Sequence, residues 1–530
     1  MNNIIPFQKA KNKLTSAEKV GQLFMPAAFI NDTEEEILLL ENSIKKHHIG
    51  GLCFFHSRAS AATNFEGKKK VIFNTQSHET LKGLIKRYQK TSKYPLLISI
   101  DAEWGLAMRI ENTPQYPYCI TLGAIQNNDD LIYKVGKNIA KDCKQSGIHW
   151  NFSPVVDINN NPNNPVIGYR SFGENKTQIV AKATAFINGT NSEGILTSIK
   201  HFPGHGDTAT DSHLGLPIIT KTKEELLAHE LLPFQKIIDY GIDAVMVGHL
   251  AVPALSNGKN IPASISKDII KGILRSEMNF KGLVVSDALN MHSVSKMYPT
   301  KGELEWLAFD AGNDILCFTE NITEGVKTIL EKAEDNQIEE SFERIWKLKE
   351  RAINNAEKDL KELINPDSLN TKLAQKSLTL LKEELSIANF IKEEFSMVTI
   401  GKKSDTNFSN SIREKINFAT FSTKDFTIEE LKNELQNTNN IVLSLFPPQI
   451  KPSNNFEIGA EELEYIQELI QTKNVVFYLF GNPYVLNLFS IKKVKTVVVV
   501  YQDFEVFQKN AAQHFLGNAE AKGKLPVTIN

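Results

Sequence analysis

Several absences bound what this 530-residue chain can be. It has only four cysteines, which are widely spaced and form no Cys-x-x-Cys pair: Cys53, Cys119, Cys143 and Cys317. This usage predicts reduced, mostly buried thiols in a reducing compartment. The first 20 residues lack the apolar core of a signal peptide, and no apolar run reaches the ~18 residues that span a bilayer. We therefore expect a cytoplasmic protein without a membrane partner.

No charge of one sign dominates the chain. Lys and Arg together number 60 and Asp and Glu number 62, so the formal net charge is −2. Because a nucleic-acid-binding protein normally carries a basic surface, no nucleic-acid partner is expected. Hydrophobic residues make up 41% of the chain and charged residues 23%, as in ordinary globular proteins. The length predicts two or more domains and is compatible with a monomer or a homodimer.

Eight short apolar runs recur in the first 318 residues, with helix-like segments between them. The predicted strands are residues 22–28, 49–55, 96–101, 150–157, 195–200, 244–249, 283–287 and 314–318. Between two of them, residues 223–240 place their apolar side chains on one helical face. Eight strands that alternate with helices predict an α/β fold in which a parallel (β/α)8 barrel of the TIM type comes first.

The character of the sequence changes after residue 318, where charged residues with helical spacing take over. We predict a catalytic barrel over residues 1–345, a helical linker over 346–372 and a smaller α/β sandwich domain over 373–530. The second domain has four strand candidates, at residues 397–400, 441–446, 475–480 and 497–501. Residues 403–440, rich in Asn, Thr, Ser and Lys, are predicted to form a surface region.

Polar residues end most of the predicted barrel strands. They are Asp101, Asp157, Lys200, His201, His249 and Asp287. In barrels of this type the active site lies at the carboxyl ends of the strands, so these side chains are candidates for it. Asp287 follows an apolar run directly and fits a nucleophile, a base or a metal ligand. The alternative for Asp287 is a helix N-cap, and for any of the others a strand-end cap.

The segment from Lys200 to His213 is the richest in titratable side chains, with three histidines and two aspartates around two glycines. This composition is typical of an active-site loop that follows a buried strand. Asp211 and His213 are alternate residues, so the carboxylate can orient the imidazole and raise its basicity for proton transfer. The alternative is an Asp–His hydrogen bond with a structural role only.

A metal site is the rival interpretation of the same loop. Its possible ligands are His201, His205, Asp207, Asp211 and His213. However, no His-Glu-x-x-His or similar spacing appears, and the neighbouring Lys200 would repel a cation. We therefore expect no metal and no cofactor.

Three cationic residues lie at or near predicted strand ends. Arg109, Arg170 and Lys200 can donate hydrogen bonds to sugar hydroxyls or to an anionic group, although a surface ion pair is the alternative for each arginine. Trp104 lies close to Asp101 and offers a flat apolar face, either as a platform for a sugar or as a core residue.

These segments together resemble glycoside hydrolase family 3, and within it the β-N-acetylglucosaminidase (N-acetylhexosaminidase) branch. The most specific match is Lys-His-Phe-Pro-Gly-His-Gly at 200–206 followed by Asp-Ser-His at 211–213. The nucleophile segment is similar at Ser286-Asp287 with Met291, two substrate-binding segments at 101–109 and 167–172, and the family's C-terminal end at 517–527. Many relatives have Glu-Gly-Gly-Arg where this chain has Glu-Trp-Gly-Leu at 103–106, and the branch's single-domain enzymes lack the second domain.

The resemblance implies a retaining exo-β-N-acetylglucosaminidase that removes terminal β-linked N-acetylglucosamine from peptidoglycan fragments in a bacterial cytoplasm. It implies Asp287 as nucleophile, His213 as acid/base and Asp211 as the partner of His213. The residues it implies for binding the sugar are Asp101, Arg109, Arg170, Lys200, His201 and Met291. The alternatives are a β-glucosidase or β-xylosidase of the same family, an N-acetylglucosamine phosphorylase, a non-catalytic sugar-binding relative and a metal-dependent hydrolase.

Overall fold

The computed structural model describes residues 4–56, 73–208, 215–355 and 362–529. The chain divides into two compact units. The first comprises Met1–Gln115, Ile132–Ile158 and Ala183–Ile364, and the second Tyr116–Leu131, Asn159–Lys182 and Asn365–Asn530. The second unit therefore includes two segments from the earlier part of the chain. The domain boundaries drawn at 345 and 372 stay predictions, and helix Asp335–Asn354 runs across the first of them.

The first unit is built on a parallel sheet in the order β2-β3-β4-β5-β6-β7-β8, and a separate pair joins β1 to β9. The strands are β1 Phe24–Met25, β2 Ala27–Phe29, β3 Gly51–Phe55, β4 Leu97–Ile100, β5 Trp150–Asn151, β6 Leu196–Phe202, β7 Ala244–Val247, β8 Leu283–Ser286 and β9 Leu316–Cys317. Every predicted strand overlaps an observed one. The first is divided at Pro26, which has no N–H to donate to a neighbouring strand.

Backbone hydrogen bonds connect β8 through β9 to β1. The Ser286 N–H donates to the Ile315 carbonyl (3.0 Å), and the Leu316 N–H donates to the Leu23 carbonyl (2.8 Å). The parallel sheet is therefore curled. Apolar side chains from successive strands join one hydrophobic core, including Leu97, Trp150, Leu196, Ala244, Met246, Leu283 and Val285. Strands buried on both faces in this way explain the continuous apolar runs of the sequence.

Helices alternate with the strands of the first unit. They are Phe7–Lys13, Ser16–Gly21, Glu34–His47, Ser77–Thr91, Asp129–Gln145, Lys176–Asn191, Lys223–Ala228, Leu231–Tyr240, the π-helical Asp268–Glu277, His292–Ser295, Glu303–Ala311, Ile322–Lys332 and Asp335–Asn354. Two of these, Asp129–Gln145 and Lys176–Asn191, begin in residues assigned to the second unit. Three helices begin at a capping box, with Thr15, Thr33 or Thr222 as the N-cap. Each box satisfies backbone N–H groups that the helix itself leaves unpaired.

The second unit has a six-stranded sheet in the order β10-β15-β14-β13-β11-β12, in which only β10 is antiparallel to its neighbour. The strands are β10 Thr379–Glu383, β11 Ser396–Ile400, β12 Ala419–Ser422, β13 Asn440–Leu445, β14 Asn474–Leu479 and β15 Thr496–Val499. Its helices are Cys119–Ala124, Asp367–Ser377, Ile387–Phe390, Asn407–Arg413, Ile428–Glu434, Ala460–Thr472 and Glu505–Phe515. The four predicted strands are present, whereas the two edge strands β10 and β12 were not predicted, and β12 lies inside the predicted surface region.

All four cysteines are buried and none forms a disulfide. Across the described ranges, no helix combines the length and the apolar character needed to cross a bilayer.

Candidate active site

The predicted site residues of the first unit lie at the carboxyl ends of its parallel strands. Asp101 follows β4 directly and Asp287 follows β8 directly. Lys200 and His201 lie near the end of β6, just before its last residue, Phe202. The peptide bond between Lys200 and His201 is cis. Because the carboxyl ends of parallel strands meet at one edge of a sheet, these side chains share one region, as the sequence predicted.

Asp101 lies between two cations. Its Oδ1 accepts a hydrogen bond from Lys200 Nζ (2.8 Å), and its Oδ2 accepts one from Arg109 Nη2 (3.0 Å). Burial alone would raise the pKa of Asp101, but the charges of Lys200 and Arg109 hold it well below its ordinary value. The carboxylate is therefore ionised at neutral pH and can accept hydrogen bonds from a bound hydroxyl group.

Glu103 is a part of this site that the sequence reasoning missed. Its Oε1 lies 2.7 Å from Lys200 Nζ, and both side chains are almost inaccessible, at 1% exposure each. A buried lysine needs a compensating carboxylate, and Lys200 has two. The available signal was the recurrence of acidic residues at 101 and 103, directly after a strand.

The guanidinium of Arg109 lies over the ring of Phe55, with Cζ 3.8 Å from the ring centroid. Phe55 is the last residue of β3, so the sheet itself supplies this flat support. A cation held against an aromatic face loses part of its freedom to rotate, which orients the Arg109 donors towards Asp101.

Asp157 organises the histidines that follow Lys200. Its Oδ2 accepts from His201 Nδ1 (2.8 Å), and its Oδ1 accepts from the backbone N–H of His205 (2.7 Å). Burial alone would raise the pKa of Asp157, but the charge of His201 and these hydrogen bonds outweigh burial, so the pKa lies below its ordinary value. A carboxylate at Nδ1 fixes that nitrogen as a donor and sets the orientation of the His201 ring.

His205 is deeply buried and is not a site for a proton at neutral pH. Burial and the charge of His201 lower its pKa to about 4. Its Nδ1 lies 2.7 Å from the hydroxyl of Thr208, which makes His205 part of the internal structure of the loop that follows β6.

Asp287 is partly exposed, and one hydrogen bond holds its backbone while another holds its side chain. Its N–H donates to the Val247 carbonyl (2.9 Å), and its Oδ1 accepts from the Ala288 N–H (2.8 Å). Burial opposes ionisation, but the charges of His201 and His249 and the Ala288 hydrogen bond outweigh it, so the pKa of Asp287 lies below its ordinary value. An ionised, accessible carboxylate has the form that a nucleophile requires.

His249 fixes the backbone beside Asp287. Its Nε2 lies 2.9 Å from the Ala288 carbonyl and its Nδ1 lies 2.7 Å from the Ser264 hydroxyl. Since a carbonyl can only accept, Nε2 is assigned as the protonated nitrogen. The sequence placed His249 at a strand end without giving it a role, and the structure shows it supporting the residue after Asp287.

Two further predicted residues have separate surroundings. The backbone N–H of Met291 donates to the Ala288 carbonyl (3.0 Å), and its side chain is buried in the turn after Asp287. Arg170 lies in the 3-10 helix Gly168–Arg170 of the second unit, where its Nη1 donates to the Val166 carbonyl (3.3 Å). The sugar-binding roles of Met291 and Arg170 stay predictions.

The predicted acid/base pair, Asp211 and His213, lies outside the described residues, as does the rest of 209–214. Among the residues that are described, no three His, Cys, Asp or Glu side chains are arranged to hold a metal ion.

The comparison with protein families agrees with a curled parallel sheet that has charged residues at the ends of its strands. The profile described as Glycosyl hydrolase family 3 N terminal domain matches residues 15–348. The chain belongs to glycoside hydrolase family 3.

Relatives named β-hexosaminidase match about half of this chain. Beta-hexosaminidase A of Pseudoalteromonas piscicida is 35% identical over 291 residues, which are 52% of this chain and 46% of the relative. The match therefore spans less than half the length of that relative. The β-hexosaminidase of Haemophilus influenzae is 34% identical over 272 residues, covering 50% of this chain and 75% of the relative. The β-N-acetylglucosaminidase/β-glucosidase of Cellulomonas fimi is 24% identical and covers 96% of this chain and 93% of its own.

Solved structures match almost the whole length of this chain. A family 3 β-N-acetylglucosaminidase from Paenibacillus sp. has a TM-score of 0.77 at 25% identity, covering 97% of this chain and 99% of that one. A β-glucoside phosphorylase has a TM-score of 0.80 at 22% identity over 98% of this chain and 95% of its own, which shows a shared fold. The resemblance to family 3 and to its hexosaminidase branch is thus confirmed.

Proposed function

We propose that the chain is a retaining exo-β-N-acetylglucosaminidase that works through a covalent glycosyl-aspartate intermediate. The observation that carries the proposal is Asp287, a partly exposed carboxylate with a lowered pKa beside the ion pairs around Asp101. We also propose that the hydrogen bonds from β8 through β9 to β1 close the sheet into a (β/α)8 barrel, followed by a separate α/β sandwich domain.

Asp287 has the surroundings that the first chemical step needs. Its Oδ1 accepts the Ala288 N–H, which leaves Oδ2 for attack on the anomeric carbon. The bond from that carbon to the departing oxygen breaks as the bond to Asp287 forms. His201 and His249 supply the positive potential that keeps the nucleophile ionised between turnovers.

The group around Asp101 supports the binding of a sugar. An ionised carboxylate flanked by Lys200 and Arg109 presents acceptors and donors side by side, which is the arrangement that vicinal hydroxyl groups require. The resemblance adds His201, whose ring is already oriented by Asp157.

We propose His213 as the acid/base and Asp211 as its partner, on the strength of the sequence motif. In the first step His213 gives its proton to the departing oxygen. In the second step the neutral imidazole takes a proton from water, and the resulting hydroxide displaces Asp287 with net retention. A neutral base does not repel an anionic group as a carboxylate would, so a lactyl-bearing muramic acid in a peptidoglycan fragment is the leaving group that we propose.

A second candidate function is hydrolysis of β-glucosides. The specific observation in its favour is the Cellulomonas fimi relative, which matches almost the whole chain and whose name includes both activities.

The test is release of nitrophenol from the β-N-acetylglucosaminide and from the β-glucoside, by the wild-type protein and by His213→Ala, with and without phosphate. We expect the wild-type protein to release nitrophenol from the β-N-acetylglucosaminide, and we expect His213→Ala to do so much more slowly. Turnover of the glucoside alone, or an indifferent variant, would contradict the proposal. A rate that rises with phosphate would make the reaction phosphorolysis.

A further inference from the structure

Few polar contacts hold the guanidinium of Arg109. Its Nη2 donates to Asp101 (3.0 Å), and its Nη1 lies 3.5 Å from the Met108 carbonyl, at the limit of a hydrogen bond. Its Nε is buried and has no hydrogen-bond partner among the described residues. A single short hydrogen bond leaves the guanidinium plane free to rotate, so the ring of Phe55, with Cζ 3.8 Å from the ring centroid, is an important second constraint.

Phe55 is in turn held by Phe318. The two rings pack edge to face, with centroids 5.6 Å apart and planes at 83°. Phe318 makes the same kind of contact with Phe29, at 6.1 Å and 88°. The three rings come from different strands, because Phe29 ends β2, Phe55 ends β3 and Phe318 directly follows β9. They form a continuous aromatic brace, Phe29–Phe318–Phe55, which leads to the guanidinium of Arg109.

The backbone of Phe318 has an unfavourable conformation. Its φ is +54°, in the left-handed region that bulky side chains rarely adopt. Such strain persists only where the surrounding structure imposes it, and it is commoner at functional sites. Here the Phe318 N–H donates to the Met25 carbonyl (2.9 Å), and the side chain is buried. Glycine would adopt this backbone without strain, but it would leave Phe55 without its edge-to-face contact.

Arg109 is the more mobile of the two cations that bind Asp101. The other, Lys200, is buried and is also paired with the buried Glu103 at 2.7 Å. Arg109 is partly exposed, and its long side chain has several rotatable bonds. The aromatic brace therefore contacts the cation whose position depends most on added support.

We propose that Phe55 and Phe318 are positioning residues for sugar binding, because together they hold the Arg109 guanidinium where it can donate to Asp101 and to a bound hydroxyl group. This inference rests on the proposed sugar-binding role of Arg109. Neither ring touches the sugar, and both act through Arg109. A cation over an aromatic face changes an equilibrium by about 2- to 30-fold, so the loss of the Phe55 ring should weaken binding within that range.

A double-mutant cycle tests whether the rings act through Arg109. The value of kcat/KM for the nitrophenyl β-N-acetylglucosaminide is measured for Phe55→Leu, Arg109→Met and the double variant. We expect Phe55→Leu to lower kcat/KM about 5- to 30-fold in the wild-type background and less than about twofold in the Arg109→Met background. Phe318→Leu should show the same pattern with a smaller loss, since Phe318 reaches Arg109 only through Phe55. Phe55→Tyr keeps the aromatic face and should retain most of the activity.

Phe54→Leu is the matched control. Phe54 precedes Phe55 on β3, and successive side chains of a strand point to opposite faces, so its ring packs near Tyr88 instead (6.4 Å between centroids). The same substitution there should lower the melting temperature and leave kcat/KM unchanged. Phe55→Leu, at a partly exposed position, carries the test if Phe318→Leu does not fold.

The inference is overturned if Phe55→Leu leaves kcat/KM unchanged, lowers it equally in both backgrounds, or lowers it no more than Phe54→Leu does. If Arg109→Met lowers kcat/KM and the cycle shows no coupling, only the positioning role of the rings is wrong. If Arg109→Met has no effect, the sugar-binding role of Arg109 is wrong and the inference fails with it. If the wild-type protein hydrolyses the β-glucoside instead, the proposed N-acetylglucosaminidase function fails, and the same cycle with the glucoside decides the positioning role separately.

Discussion

The inner strands of the two sheets are buried alike, but the residues that follow them differ. In the first unit, β4 leads into Asp101, β6 contains Lys200 and His201, and β8 leads into Asp287. In the second unit, the residues that directly follow its four inner and parallel-paired strands are uncharged. They are Gly401, Phe446, Phe480 and Val500. The strand ends, rather than the parallel sheet as such, therefore distinguish the candidate active site from the second sheet.

Polar pairs at the strands of the two sheets differ in the same way. In the first sheet, Lys200 of β6 forms a buried charged pair with Glu103. In the second sheet, strand residues form buried neutral pairs: Thr399 with Ser444 (2.9 Å), Thr379 with Tyr501 (2.8 Å) and Tyr478 with His514 (2.9 Å). Substitutions in the first sheet are therefore expected to change catalysis, and those in the second to change stability alone.

The largest effect is expected at Asp287. Asp287→Asn keeps the shape of the side chain but removes the nucleophilic charge, so kcat should fall about 10⁴-fold or more, as for other nucleophile deletions. The measurement is nitrophenol release at saturating β-N-acetylglucosaminide. Asp239→Asn, on an exposed helical position, is the matched control and should behave as the wild type. Activity within tenfold of the wild type in Asp287→Asn would contradict the role of Asp287 as nucleophile.

Lys200 ranks next. Lys200→Met is expected to lower kcat/KM about 10²- to 10³-fold, because the cation beside Asp101 is lost from the binding region. It should also destabilise the protein by about 3–5 kcal/mol, since Glu103 is left buried without a cation. Adding Glu103→Gln to Lys200→Met should restore the melting temperature but not the activity. If both recover together, Lys200 acts only through folding.

Phe480 tests the expectation that substitutions in the second sheet change stability and not catalysis. Its ring stacks on Phe446 at a centroid distance of 4.3 Å and is buried. Phe480→Ala should cost about 3–5 kcal/mol of unfolding free energy in urea titration, because it leaves a cavity. The kcat of the protein that remains folded should not change. Phe480→Leu, which fills more of the space, should cost less, and a lowered kcat in either variant would show that the second sheet contributes to chemistry.

The smallest expected effect is a pH dependence of stability in the first unit. Burial raises the pKa of Asp142 from 3.8 to about 7, and its Oδ1 accepts the Ile364 N–H at 2.8 Å. The folded chain therefore holds the Asp142 proton more tightly than the unfolded chain. Its contribution is fully present below pH about 4 and is lost as the pH rises through about 7.

Asp142→Asn keeps an acceptor for Ile364 and removes the titration. Relative to the wild type, it should raise the unfolding free energy at pH 8 by about 1–3 kcal/mol and change it little at pH 4. Thermal unfolding of both proteins at the two pH values measures this difference. An equal shift at both pH values would show that folding does not raise the pKa of Asp142.

The sequence predicted the inner strands well for a physical reason. Parallel strands covered on both faces must be apolar at consecutive positions, and this produces a visible run in each case. The edge strands β10 and β12 are half exposed and have no such run, so they were not predicted. The sequence also has no pattern that assigns the segments 116–131 and 159–182 to the second unit.

For the site, the predicted strand ends were enough to predict from the sequence that Asp101, Lys200, His201 and Asp287 lie in one region. Partners were harder to predict, since Lys200 and Asp101 are 99 residues apart and no local pattern records their contact. Glu103 was missed as the second partner of Lys200 for the same reason. The roles of Asp157 and His249 depend on hydrogen bonds to neighbouring backbone and rings, which only the folded chain defines.

The most direct test of the proposed mechanism is to identify the residue that carries the sugar in the covalent intermediate. The protein would be incubated with 5-fluoro-β-N-acetylglucosaminyl fluoride, which forms the intermediate faster than it is hydrolysed, and then digested and analysed by mass spectrometry. We expect one glycosylated peptide, with the added mass on Asp287 and absent from Asp287→Asn. An adduct on another residue, or turnover of the reagent without any adduct, would contradict it.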